Sequence, residues 1–192
     1  EPVPSQQALA ALEAFDLKLT ALERERGKYA NDLRVRRLLQ ALGRNIGTLP
    51  PRRFSSTLSI VARLRASPAW LPELFGKGPS YFRAFDTRSL ATTMTALAHL
   101  QESSPALRGH ASVLCKALEA AIAARGIEEL HKTPPLETVA FLRSFARLGI
   151  TQAQLYMPLL HSLRNHVEAR LLPLQDISAC LAAASTAGIE EE

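Results

Sequence analysis

FDTRSLATTMTALAHL, residues 85–100, opens on Asp86 and Thr87 and then runs to Leu100 without a glycine or a proline. Asp and Thr are helix starters, because their side chains satisfy the unpaired amides of a first turn. Leu90, Met94, Leu97 and Leu100 then recur at steps of three and four, which lines one face of a helix. Three other stretches resemble it: LPPRRFSSTLSIVARL (49–64), TPPLETVAFLRSFARLGI (133–150) and LPLQDISACLAAASTAGI (172–189). Each starts on Pro, Thr or Asp and runs through small and leucine-like residues. Two of them leave through Gly-Ile. Aligning Leu64, Leu100, Leu148 and Ala187 gives spacings of 36, 48 and 39. That irregular period of roughly 40 residues belongs to helix-pair repeats.

Working outward, residues 105–126 and 151–171 read as long amphipathic partner helices, closed by Gly126 and begun by Thr151. After residue 67 the partner is broken into short turns by Pro68, Pro72, Gly76, Gly78 and Pro79. Upstream, residues 6–27 form a helix with Leu9, Leu12, Phe15, Leu19 and Leu22 on one face and Gly27 as its stop. Asn31 is the expected cap of a second helix, residues 32–46, with Val35, Leu38, Leu39 and Leu42 buried. The expected architecture is all-α: an α-solenoid of antiparallel helix pairs, about four pairs plus a terminal helix. Residues 1–48 supply an N-terminal arm and a basic helix pair, and 49–192 the irregular repeats. An unpaired last helix leaves an apolar face for another chain or a following segment to cover, and Glu190, Glu191 and Glu192 keep that end polar. The chain opens on Glu1 without Met, which fits a processed form or a part of something longer.

Composition narrows the function. Apolar residues make up 47% of the 192, enough to bury a core, while aromatics are only 6%, too few for a strand-rich fold. The net charge of +5 is concentrated, since residues 18–53 carry ten bases against three acids. No apolar run approaches a membrane span, so no membrane insertion is expected. His161 and His166 are five apart, which turns their rings about 140° from each other on a helix and rules out one shared ion. Cys115 and Cys180 sit among apolar residues and read as reduced core thiols. FGKGPS (75–80) lacks the spacing and the GK[ST] ending of a phosphate-binding loop. The sequence therefore predicts no enzyme, no catalytic or metal-binding residue, no cofactor and no small-molecule substrate.

The basic stretch carries the strongest signal. Arg34, Arg37 and Arg44 fall on one side of the second helix with Arg36 at its border, and Arg52 and Arg53 begin the next helix. Arg63 and Arg65 join them if the helices pack antiparallel. Clustered arginines bind phosphates in bidentate pairs. Lys77 and Arg83, with Tyr81 and Phe82 between them, could hold a phosphate and stack on a base, against the simpler reading of the aromatics as core. An interfacial membrane helix is disfavoured by the Leu/Val stripe, which lacks Trp.

Residues 85–100, with Leu90, Thr92, Met94, Ala96, Leu97, Ala98 and Leu100 after a polar start, resemble the first helix of octotricopeptide repeats and of the related repeats found beside RAP domains in organellar proteins. ETVAFLRSFARLGI (137–150) is similar in its Ala-Arg-Leu-Gly exit. The resemblance covers residues 49–189. It implies an organellar setting with RNA nearby, mitochondrial or, alternatively, chloroplast. The expected function is a non-enzymatic, RNA-associated subunit of an organellar ribonucleoprotein such as the mitochondrial ribosome, with ribosomal RNA and neighbouring proteins as partners. The alternative is a protein scaffold of an organellar respiratory or membrane complex that does not touch RNA.

Overall fold

The computed structural model describes residues 4–19, 29, 32–44, 46–103 and 107–189. Among these residues it is all-helical, with eleven α-helices and no strand. Helix α1 spans Ser5–Leu19 and α2 spans Leu33–Gly43, followed by a 3-10 turn, Ile46–Thr48. Next come α3 (Pro51–Arg63), two short helices α4 (Leu71–Phe75) and α5 (Pro79–Phe82), and α6 (Thr87–Ser103). The chain continues through α7 (Arg108–Ala123), the short α8 (Ile127–His131), α9 (Pro135–Leu148), α10 (Ala153–Glu168) and α11 (Leu174–Thr186).

The four repeated stretches are α3, α6, α9 and α11, and each packs on the next. Arg52 at the start of α3 meets Asp86 just before α6, at 3.3 Å. Arg147 at the end of α9 meets Glu102 near the end of α6, at 2.5 Å. Starts thus lie beside starts and ends beside ends. Buried hydroxyls stitch the row together: Ser55 donates to the Ser89 carbonyl at 3.0 Å, and Thr95 lies 3.1 Å from Ser144. Small residues at these crossings let helix axes approach closely. Helix α7 packs on α6, α4 and α5, and α10 packs on α9, α8 and α7.

Helix ends follow local chemistry, in places one to three residues from where the sequence put them. The cap of α2 is Asp32, whose carboxylate accepts from the Arg34 amide at 2.7 Å. It displaces the expected Asn31, which lies outside the described residues, as do Leu22, Gly27 and Glu190–Glu192. Helix α2 stops at Gly43 instead of continuing to 46, and α10 begins after Gln152, not at Thr151. Gly43 is required by packing: a Cβ there would stand 2.0 Å from Cδ1 of Trp70. Trp70 is itself fixed by its indole N–H, which donates to the Leu39 carbonyl at 2.7 Å. One aromatic group anchors α3 to the broken segment. Phe54, Tyr81, Phe82 and Phe85 meet edge to face at 5.1–6.0 Å between centroids.

Candidate nucleic-acid interface

Arg34, Arg36, Arg37 and Arg44 are all exposed on α2. At 100° per residue, Arg36, Arg37 and Arg44 fall within an arc of about 100°. Arg34 turns back toward Asp32 at 3.7 Å. Val35, Leu39 and Leu42 hold the opposite side of the helix in the core. Neither α2 nor α3 has an acid in its first turn. Both instead place arginines there, at the positive end of the helix dipole, where a cation is unfavourable and an anion is attracted. Arg52 and Arg53 follow Pro50 and Pro51, and no side chain caps this start of α3. Both arginines are exposed there, with Arg52 reaching Asp86 at 3.3 Å.

The other candidates separate. Arg63 and Arg65 are exposed at the far end of α3, about 16 Å along the axis from Arg52. Arg65 has φ 51°, a left-handed conformation. Lys77 sits 5.3 Å from the Tyr81 ring centroid, and Arg83 is exposed. The stacking expectation fails for Phe82. Phe82 is wholly buried, and the Tyr81 hydroxyl donates to the Leu49 carbonyl at 3.2 Å. Phe82 is core, as the simpler reading had it, while Tyr81 is half-buried at the margin of the core.

The aligned helices expose a pattern that no single segment shows. Positions 52, 56, 59 and 63 of α3 match 88, 92, 95 and 99 of α6 and 136, 140, 143 and 147 of α9. Small residues form the floor of a groove of about 340 Å³, lined by Ser59, Thr92, Thr95 and Ala140, with Arg88 at its edge. Arg143, Arg147 and His99 belong to the same stripes. Sequence reasoning missed them because the register of the repeats, not local clustering, brings them together. Most of their charge is spent between helices. Arg52 pairs with Asp86, Arg147 with Glu102, and Arg143 lies 3.9 Å from Asp176. The groove is therefore close to neutral, while α2 carries the excess positive charge.

No protein-family model matches the chain, and comparison with curated proteins and with solved structures likewise returns no match.

Both cysteine thiols are held in the protonated form. The Cys115 thiol donates to Glu119 at 3.1 Å, and burial pushes its ionisation far up. Burial likewise pushes Cys180 up to about 11. Thiols that stay protonated are poor nucleophiles. His161 pairs with His131, ring centroids 4.5 Å apart, rather than with His166, which lies 2.8 Å from the Thr133 carbonyl. Among the described residues no group of three His, Cys, Asp or Glu converges on a metal position, and no helix is long and apolar enough to cross a membrane.

Proposed function

We propose that this protein is a non-enzymatic subunit of an organellar ribonucleoprotein that holds RNA phosphates on the α2 face and the uncapped start of α3. The observation that carries the reading is the placement of Arg34, Arg36, Arg52 and Arg53 in first helical turns. There they oppose the helix dipole, and beyond the pairs that Arg34 makes with Asp32 and Arg52 with Asp86, a bound anion would offset that cost. Arg37 and Arg44 extend the same surface along α2. Arg65, Lys77 and Arg83 are peripheral to it. Binding of this kind is electrostatic and reads little sequence. The organellar setting, with the mitochondrial ribosome foremost, rests on the resemblance of residues 85–100 and 137–150 to octotricopeptide repeats. So does the reading of the α3, α6, α9, α11 row as the first-helix layer of an α-solenoid of antiparallel pairs. The row's mutual packing supports it.

The test is fluorescence anisotropy with a labelled single-stranded RNA of mixed sequence. Three or four phosphate contacts give a log–log salt slope of about −2 to −3, so affinity should fall about 20- to 50-fold between about 50 and 200 mM salt. Replacing Arg36, Arg37 and Arg44 together by Glu should abolish binding while leaving the helical circular dichroism unchanged. RNA binding that survives this triple change, or no binding at the lower salt, sinks the proposal.

A further inference from the structure

Of the histidines whose side chains the structure describes, two have polar partners and two do not. His99 lies against Arg147, and His166 against Ser162 and the Thr133 carbonyl. His131 and His161 have no hydrogen bond or ion pair among the described residues. They meet each other across the contact of α8 with α10, ring centroids 4.5 Å apart and planes tilted by 37°. His161 is exposed and His131 half-buried. A neutral imidazole whose nitrogens are not engaged by the fold is free to ligate a metal.

Both rings line one cavity of about 390 Å³ between α8 and α10. Met157 and Gln154 line it too, with Ile127 and Pro158 as apolar wall. Gln154, Met157 and His161 stand at i, i+3 and i+7 of α10, on one helix face. Met157 and His161 are thus four apart, the spacing at which two helical side chains share one ion. Met157 is 45% exposed, so its side chain does not serve the core. The ring separation fits a shared ion. A ligating nitrogen lies about 1.1 Å from its ring centre and about 2.0 Å from the ion, so centroids 4.5 Å apart subtend about 90° there. Spacing along the chain does not show this pair, because 30 residues separate His131 from His161.

The donors select the ion. No carboxylate lines the cavity, which leaves Mg²⁺, Ca²⁺ and Mn²⁺ without the oxygen ligands they need. Two imidazoles and a thioether are all neutral, so they compensate none of the charge of a divalent ion. Thioether sulfur is a soft donor and favours Cu(I). We propose that His131, His161 and Met157 form a Cu(I) site that ties α8 to α10. Helix α8 has five residues and no side-chain cap, so a metal bond across to α10 fixes it in place. The site shares no residue with the arginine face and holds whether or not that face binds RNA.

Anaerobic titration of the protein against the coloured Cu(I)–bicinchoninate complex should withdraw one equivalent of copper. His161→Asn should weaken uptake about 100-fold and Met157→Leu about tenfold. Both residues are exposed, so the variants should keep the helical circular dichroism. Zn²⁺ titrated alone should bind more weakly and be indifferent to Met157→Leu. The chain has two methionines, and Met94 is wholly buried. Cu(I) should therefore shift the methyl resonance of Met157 and leave that of Met94 in place. No uptake overturns the proposal. So does uptake that survives His161→Asn and Met157→Leu alike, since the copper then sits elsewhere, on Cys115 or Cys180 for example. Uptake that needs His161 but not Met157, with Zn²⁺ bound as tightly, overturns it as well, because such a site is a pair of imidazoles with no preference for copper.

Discussion

A single hydrogen atom separates the side chain of Gly43 from what its place in the fold tolerates. A Cβ there would fall 2.0 Å from Cδ1, 2.6 Å from Cγ and 2.7 Å from Nε1 of Trp70. The indole cannot swing away without breaking its bond to the Leu39 carbonyl. Ala in place of Gly gains about 1 kcal/mol of helix propensity. Against that, overpacking costs about 1–3 kcal/mol, and stranding the indole N–H costs about as much again. The clash wins, and Gly43→Ala should destabilise the protein by about 2 kcal/mol. Trp70 is the only tryptophan, so its emission during urea unfolding reports the change directly. A variant as stable as the parent would mean that α2 does not sit against this ring.

The exits of the helices show how the repeat is written and where it departs from its own rule. After α9 and α11 the chain turns left-handed at Gly149 (φ 72°) and Gly188 (φ 71°). In both, the next amide bonds five residues back, Ile150 to Phe145 and Ile189 to Ala184. Helix α3 makes the same turn, Ala66 bonding to Val61, with Arg65 at the glycine position. A left-handed residue with a side chain costs about 1–2 kcal/mol, and glycine's extra freedom when unfolded returns about 0.4–1 kcal/mol of that. Arg65→Gly is therefore expected to raise stability by about 0.5–1 kcal/mol, read as a higher urea midpoint at unchanged slope. A lower midpoint would show that the arginine side chain itself holds the turn. These elements also mark how far the sequence could be read. The four first helices, the broken partner after residue 67 and the Gly-Ile exits follow from spacing and from Gly and Pro. The cap at Asp32 was misplaced by one residue because Asn31 is an equally good capping side chain. Tyr81 and Phe82 were open to a binding role because a four-residue helix has no period to betray its buried side. Arg88, Arg143 and Arg147 could not be found locally, since only the lateral register of three helices aligns them.

Across the whole molecule, the ion pairs that bridge one repeat to the next make stability a function of pH, and their signs agree. His99 lies against Arg147, whose Nη2 is 3.0 Å from the ring Nδ1. Burial, then the nearby Arg147 charge, holds the imidazole below its ordinary value of 6.5. The unfolded chain therefore takes up this proton first, and stability is lost as pH falls below about 6.5. Glu102 is held below the usual carboxylate range chiefly by its bond to Arg147, and Asp86 chiefly by its bond to Ser89. Their contributions are complete above the unfolded carboxylate values and vanish as pH drops through the lowered folded ones. The urea midpoint should thus be flat above pH about 7, decline gently toward about 5, and fall more steeply below about 4. All three groups are largely exposed, so each limb is modest. His99→Gln should flatten the upper limb and leave the lower one, while Glu102→Gln should shrink the lower limb. If His99→Gln leaves the decline between neutral and weakly acidic pH untouched, the contact between the ends of α6 and α9 does not set it. Another group that gains a proton in that range must then set it, because the buried Ser55–Ser89 and Thr95–Ser144 contacts between repeats do not titrate.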